Sequence, residues 1–407
     1  MLSRFLAKFS KINFPYSRFD FIDEKDLRKS EKFLNFLSFG FYLDDRRSKE
    51  AIHYLVSAKQ SAPDIFKADW LTATPTERFE AMDSTLNQII RDEITTIEPN
   101  QNVVMGLSGG FDSRLILHYL RRNGIQPKTY TFARKFDAGV ARALADRLPI
   151  EQFSLPSSTP CFDDLYSLAR REQDVLFLRR LTAVEKIEKA FPSRVEFHGL
   201  GGGAVSQVRT KLSENVEWTK ARKRFSRAND PFELASRIRG TKFLPRKPYV
   251  ANQELLFEDQ LRFAYRMELR IRPHRDNSDN IYRYPLFDSR WIGVWLNRSI
   301  EERYDQALLI AFIRWLDAPE FFDIAGSTVA TGPEARLFLS NQYPSTEIEN
   351  QGRSARTLAD EAAKRLRKRG VFSNAFLESQ IARIPNSKAA RQVLICTELA
   401  IGADWFA

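Results

Sequence analysis

Cysteine and histidine are scarce in this chain. It has two cysteines, Cys161 and Cys396, and four histidines among 407 residues. Two cysteines so distant in sequence give neither a disulfide framework nor a cysteine zinc site. No pair of histidines has the H-x-x-x-H spacing that puts two metal ligands on one helix face. These absences argue against disulfide-stapled folds and against histidine-ligated zinc enzymes.

Long apolar runs are also lacking. The most apolar run, residues 307–313, is followed by Arg314 and is too short to span a bilayer. Residues 1–9 include Arg4 and Lys8 and do not have the apolar core of a signal peptide. We therefore expect no membrane association and a cytoplasmic location.

The composition is that of a globular, moderately basic protein. Apolar residues make up 43% of the chain and aromatic residues 12%. Lys and Arg number 63 against 52 Asp and Glu, which gives a net charge of +11 and favours anionic partners without identifying one. Two basic segments, residues 220–247 and 356–369, are interpreted as solvated helix faces because stacking aromatics do not interleave them densely. Nucleic acid is therefore not an expected partner.

The most informative stretch starts with the apolar run of residues 103–105 and ends with a helical pattern up to residue 120. A tight loop between strand and helix brings backbone N–H groups and the positive helix end to one point, where an anion binds. Adjacent glycines let the backbone approach a phosphate closely, and Asp112 is placed to hold a Mg²⁺ ion that bridges phosphate oxygens. The candidate ATP-binding residues of this stretch are Leu107, Ser108, Gly109, Gly110, Asp112 and Ser113.

Two common nucleotide motifs do not fit this loop. No lysine follows the glycines as in the P-loop, and Gly109 and Gly110 are adjacent, unlike the glycines of G-x-G-x-x-G. The run Ser108-Gly109-Gly110-Phe111-Asp112-Ser113 instead resembles the S-G-G-x-D-S pyrophosphate loop of the ATP pyrophosphatases. That resemblance implies that the loop grips the β and γ phosphates while a nucleophile attacks the α phosphate. Arg114 follows directly, so it is a candidate catalytic residue serving phosphate or a carboxylate, with a simple salt bridge as the alternative.

Residues 101–205 alternate between strand and helix patterns, whereas residues 205–407 are mainly helical. Such alternation predicts an α/β fold with a parallel twisted sheet flanked by helices and right-handed crossovers. Strands are expected at residues 128–133, 150–155 and 194–198, and helices at 76–90 and 137–148. We expect three regions: a short N-terminal region at 1–75, an ATP-binding domain at 76–320, and a helical C-terminal extension at 321–407 that packs on it.

The landmarks beyond the loop resemble the synthetase domain of asparagine synthetase and its relatives, which include β-lactam synthetases and lasso-peptide cyclases. The matching segments are residues 130–133, 137–145, 198–203 and 284–290, and the resemblance spans about residues 76–317. It implies a Rossmann-like ATP pyrophosphatase fold, with Mg²⁺ at Asp112 and main chain near Phe132 and Gly199 contacting the adenosine. His198 is a further candidate ligand contact, and a hydrogen-bonded structural histidine is the alternative.

The N-terminal region is reminiscent of the end of the glutaminase domain that asparagine synthetases carry. The segment of residues 39–46, which begins with several aromatic residues, has a strand-and-turn pattern of that kind. The region is too short for the whole domain, and residue 2 is Leu instead of the nucleophilic cysteine. We therefore interpret it as a remnant without glutaminase activity.

Three departures from the family leave the reaction open. Gly203 and Ala204 stand where the family has a magnesium-binding aspartate, Leu200 replaces a catalytic carboxylate, and residues 321–327 contain no late lysine. The leading hypothesis is a ligase that adenylates a carboxylate-bearing small molecule or peptide with ATP and passes the acyl group to an amine. The second is a non-catalytic nucleotide-binding subunit of a biosynthetic complex. The third is a tRNA-thiolating or nucleoside-modifying enzyme. It ranks last, because sulfur transfer usually needs reactive cysteines near the loop and Cys161 and Cys396 give no such pair.

Overall fold

The structure is a computed structural model, and within it a parallel sheet is flanked by helices. The residues that it describes are 27–39, 45–132, 135–155, 161–172, 184, 186–200, 217–234, 240–252, 254–264, 281–304, 306–323, 346–372 and 374–402. All statements below refer to these residues.

Five strands form one sheet in the order β3-β2-β1-β4-β5, and every neighbouring pair is parallel. The strands are β1 (Asn102–Gly106), β2 (Lys128–Phe132), β3 (Gln152–Leu155), β4 (Arg194–Phe197) and β5 (Tyr282–Arg283). The chain leaves the central β1 towards β2 and β3, then returns to the other side of β1 with β4. This arrangement confirms the predicted α/β class with a parallel sheet, and its strand order reverses between β1 and β4.

Helices precede and connect the first strands. They are α1 (Leu27–Phe39), α2 (Asp45–Ser61), α3 (Pro75–Thr95), α4 (Phe111–Arg122), α5 (Lys135–Arg147) and α6 (Phe162–Glu172), with 3-10 turns at Asp64–Phe66 and Ala68–Trp70. The predicted helices at 76–90 and 137–148 are confirmed as α3 and α5. Gly124 follows the end of α4 with a φ of +78°, the left-handed conformation in which many helices end.

One local prediction near the N-terminus was wrong. Residues 38–39 end α1 and residues 45–46 begin α2, so these parts of the expected strand-and-turn pattern are helical, and residues 40–44 lie outside the described part. The cap of α3 is Thr74, because Pro75 fits the first helical position, where no N–H is needed. The Thr74 Oγ1 accepts from the Glu77 N–H at 3.3 Å, and the Glu77 carboxylate accepts from the Thr74 N–H at 2.7 Å.

Helices dominate the described residues after β4, as predicted. They are α7 (Trp218–Ala228), α8 (Phe257–Leu261), α9 (Ser289–Leu296), α10 (Ile300–Arg303), α11 (Ala307–Trp315), α12 (Pro319–Phe322), α13 (Thr346–Arg369), α14 (Asn374–Arg383) and α15 (Lys388–Gly402), with 3-10 turns at Gly240–Phe243 and Pro285–Phe287. No helix in the described ranges is long and apolar enough to cross a membrane.

Two large apolar cores hold these elements together. The first joins α3, α4, α5, α9 and α11 to one face of the sheet, and α2 packs closely on α9. The second joins α1 and α6 to α13, α14 and α15. The N-terminal helices therefore share cores with later parts of the chain. The division of the chain at residues 75 and 320 stays a prediction.

A tyrosine of β2 crosses the central strand at Gly106. The Tyr130 hydroxyl donates to Glu196 Oε1 of β4 at 2.5 Å, although β1 lies between these strands. A Cβ atom at Gly106 would lie 3.1 Å from Tyr130 Oη and 3.2 Å from its Cζ. Gly106 therefore provides the space through which β2 and β4 are linked above β1.

We expect Gly106→Val to displace the Tyr130 ring and to destabilise the protein by about 1–3 kcal/mol, the usual cost of overpacking. Urea unfolding measures this change in the wild type and in a Tyr130→Ala background. The cost should be much smaller in that background, because the ring that collides is absent. An equal cost in both backgrounds would contradict this account of Gly106.

Candidate functional site

The predicted phosphate loop connects the carboxyl end of β1 to α4. Its first residue, Leu107, is buried and bound to β2: the Leu107 N–H donates to the Tyr130 carbonyl at 2.8 Å, and the Thr131 hydroxyl donates to the Leu107 carbonyl. The next residue, Ser108, is exposed. The loop thus begins at a fixed point inside the sheet and reaches solvent within one residue.

The two serines of the motif hold the loop in a compact turn. Their Oγ atoms lie 3.0 Å apart, and the Ser113 Oγ accepts from the Ser108 N–H at 3.2 Å. The Ser108 Oγ in turn accepts from the Gly110 N–H at 3.2 Å. Gly110 caps α4 without any side-chain hydrogen bond. Hydroxyls therefore satisfy loop N–H groups of the kind that bind phosphate at a helix start.

Gly199, the first glycine of the second predicted loop, lies against the first loop, and residues 201–203 lie outside the described ranges. Gly199 follows β4, and a Cβ atom there would lie 2.7 Å from the Ser113 nitrogen and 2.9 Å from the Asp112 carbonyl carbon. Such a contact requires a residue without a side chain. The structure thus brings Gly199 and the first glycine loop together at the carboxyl ends of β1 and β4, where the strand order reverses and ligands of open α/β sheets bind.

Asp112 stands in the first turn of α4 and is half-buried. A carboxylate there is favoured by the helix dipole. Among the residues that the structure describes, no three His, Cys, Asp or Glu side chains are grouped to hold a metal ion. Mg²⁺ is commonly bound by one or two carboxylates together with phosphate oxygens, so Asp112 fits as a single protein ligand of a phosphate-bound ion. The magnesium site stays a prediction, and Gly203 and Ala204 lie outside the described residues.

Phe132 ends β2, with its backbone in register with Leu155 of β3. Its main chain therefore lies at the same carboxyl edge of the sheet as the two glycine loops. The adjacent residues 133–134 are outside the described ranges. A contact between this main chain and adenosine stays a prediction.

His198 is held by a buried carboxylate. Its Nε2 lies 2.9 Å from Glu196 Oε1, and its ring stacks on Tyr284 at 5.2 Å between centroids. Glu196 also accepts from Arg194 Nε at 3.3 Å. These contacts favour the structural interpretation of His198, and its contact with a ligand stays a prediction.

The buried partners of His198 had not been singled out from the sequence. Arg194, Glu196 and His198 alternate along β4 and its end, so they share one face of the sheet. Charged residues at that spacing in an otherwise apolar strand were the signal that could have revealed the cluster. Because Arg194 and Tyr130 both bind Glu196, this carboxylate does not take the place of the one lacking at Gly203.

Arg114 lies beneath the loop with none of its surface exposed. Its Nη2 donates to the Gly109 carbonyl at 2.8 Å, and its Nη1 donates to the Phe321 carbonyl of α12 at 3.4 Å. Burial lowers the pKa of Arg114 to about 10. These contacts brace the phosphate loop against α12, and a catalytic role for Arg114 stays a prediction.

The aromatic residues of α12 extend this support along α4. Phe322 lies 6.3 Å from Phe111 at the start of α4, and His118 meets Phe321 edge-on at 5.1 Å. Burial, and then the nearby Arg122 charge, lower the pKa of His118. His118 is therefore a packing residue whose neutral form is favoured.

No model of a protein family matches this chain, and no curated protein sequence matches it. The interpretation of the site therefore depends on its geometry and on the motif resemblance.

We expect Gly199→Ala to separate the two glycine loops, since its Cβ would meet backbone atoms that cannot rotate away. The expected cost in unfolding free energy is about 1–3 kcal/mol. Gly110→Ala is the matched control: its Cβ would be 3.4 Å from the Ser108 Oγ, and its φ of −85° suits any residue. Urea unfolding of both variants tests this, and equal stability of the two would contradict the close seating of Gly199.

Proposed function

We propose that this protein is an ATP-dependent amide-forming ligase of the asparagine synthetase type. In this proposal it adenylates a carboxylate and transfers the acyl group to an amine. The observation that carries the proposal is the S-G-G-F-D-S loop at the carboxyl end of β1, with Gly199 seated on the start of α4. The fold would then be of the ATP pyrophosphatase type.

The sheet supports nucleotide binding at this point. The order β3-β2-β1-β4-β5 places a crevice between the ends of β1 and β4. The α4 helix starts at that crevice, so its dipole favours a negatively charged ligand. The exposed Ser108 and the half-buried Gly110 put the loop within reach of solvent. Together these features suit a phosphate group better than an uncharged ligand.

Each loop residue has a role in the proposal. Ser108, Gly109, Gly110 and Ser113 cradle pyrophosphate. Each serine Oγ accepts from a loop N–H, and its own hydrogen can point towards a phosphate oxygen, since it rotates freely about the Cβ–Oγ bond. A Mg²⁺ ion held by Asp112 would offset charge on the leaving pyrophosphate. The chain's own contribution is positioning and fixed dipoles.

The proposed partners are small molecules. They are ATP with Mg²⁺, a carboxylate-bearing small molecule or peptide, and an amine donor. Sulfur transfer to tRNA has less support, because Cys161 is exposed at the start of α6 whereas Cys396 is buried in α15. These two thiols do not form the reactive pair that such chemistry usually employs.

A non-catalytic nucleotide-binding subunit of a biosynthetic complex is the second candidate. The bonding of Glu196 favours it, because this buried carboxylate near the loop is engaged by Arg194, Tyr130 and His198. Among the described residues, no three His, Cys, Asp or Glu side chains are grouped to hold a metal ion beside Asp112. In this case ATP binds to the loop and is not turned over.

Carboxylate-dependent exchange of labelled pyrophosphate into ATP tests the ligase proposal. We expect exchange in the wild type and a fall of about 100-fold or more in Asp112→Ala, the usual scale for losing one electrostatic contact in a reaction centre. Asp146→Asn in α5 removes an exposed carboxylate away from the loop and should keep wild-type exchange.

Calorimetric titration with ATP and Mg²⁺ separates the two candidates. ATP binding without exchange, across a panel of amino acids and acidic peptides, would contradict the ligase and support the non-catalytic subunit. Absence of ATP binding by the wild type would contradict both.

A further inference from the structure

A cluster of basic side chains lies on the C-terminal half of α13, apart from the residues of the phosphate loop. A shallow cavity of about 470 Å³, open to solvent, lies there. Its lining recurs at spacings of three and four residues, so it belongs to one face of the helix. The lining residues are Glu361, Lys364, Arg365, Lys368 and Arg369.

Two guanidinium groups in this lining are fixed by partners. Arg369 binds the fully buried Glu398, with Nε to Oε2 at 3.1 Å and Nη2 to Oε1 at 3.0 Å. Arg365 donates to Glu361 at 3.0 Å and to the Tyr166 hydroxyl at 3.2 Å. A guanidinium that is already held in place loses little conformational entropy when a ligand binds.

The lining also contains two lysines. Lys364 and Lys368 are exposed and have no ion pair among the described residues. The carboxylates near the cavity are engaged by the arginines: Glu361 and Asp163 by Arg365, and Glu398 by Arg369. Four cationic side chains thus stand against three carboxylates around the cavity, which leaves an excess of one positive charge and two ammonium groups without an ion pair among the described residues.

Helix-dipole compensation does not account for the whole arrangement. Basic residues in the last turn of a helix oppose its negative end, and the last turn of α13 contains Arg367, Lys368 and Arg369. Lys364 and Arg365 stand one turn earlier. A dipole effect also gives no reason for fixed guanidinium groups around a cavity.

We propose that this α13 cavity binds a small phosphate-bearing anion, a phosphate monoester or a diphosphate. The Lys364 and Lys368 ammonium groups provide the charge, and the remaining N–H donors of Arg365 and Arg369 provide directed hydrogen bonds. A nucleic-acid strand is the less favoured ligand because the aromatic rings nearby, Phe162 and Tyr166, lie under the Arg365 guanidinium and do not present free stacking faces. The proposal is independent of the ATP site.

Labelling with pyridoxal 5′-phosphate tests the site. Its aldehyde forms an imine with a lysine amine and releases water, borohydride reduction fixes the adduct, and peptide mass spectrometry locates it. We expect Lys364 or Lys368 to react about tenfold faster than Lys220 and Lys223, which are exposed on the basic helix α7. Inorganic pyrophosphate should block the labelling, and sodium chloride of equal ionic strength should not.

Calorimetry with inorganic pyrophosphate provides the second measurement. The double variant Lys364→Gln/Lys368→Gln should bind one pyrophosphate fewer than the wild type, whether or not the phosphate loop also binds one. Lys220→Gln/Lys223→Gln removes the same charge from α7 and should keep the wild-type stoichiometry. Labelling in proportion to exposure, an unchanged stoichiometry in the first variant, or protection by single-stranded RNA but not by pyrophosphate would each overturn the proposal.

Discussion

The close contact between Gly199 and the backbone of Asp112 and Ser113 is the constraint on which the candidate site depends. Parallel pairing of β1 and β4 brings their carboxyl ends side by side, and the two following loops must then share one crevice. A Cβ atom at position 199 would lie 2.7 Å from the Ser113 nitrogen, so only a residue without a side chain fits there. This contact joins the second glycine loop to the start of α4.

Contacts from beneath hold the same loop in place. Leu107 is bonded to β2 through Thr131 and Tyr130, and Arg114 connects the Gly109 carbonyl to α12. Only the tip of the loop near Ser108 is exposed. A loop that is fixed before its ligand arrives loses less conformational entropy on binding, which suits a site whose work is to position phosphate groups. The bracing by Arg114 also makes the C-terminal α12 helix part of the support of the loop.

Local sequence patterns were sufficient to predict the parallel sheet, its main strands and the helices α3 and α5, because their apolar periodicity is strong. They did not predict β5, since two residues are too few to show a period. Nor did they predict the cluster of Tyr130, Glu196 and His198, because those contacts cross from β2 over β1 to β4. Arg114 was predicted to serve phosphate or a carboxylate, and its burial and its bonds to Gly109 and the distant Phe321 place it beneath the loop.

Hydrogen–deuterium exchange with and without ATP and Mg²⁺ tests whether ATP binds at the two glycine loops, because it locates the nucleotide without requiring turnover. We expect slower amide exchange in residues 107–113 and 198–200 when ATP is added. Exchange in α14 should stay unchanged, since this helix shares a core with α13 and α15 and not with the loops. ATP binding that leaves both glycine loops unprotected would contradict the account.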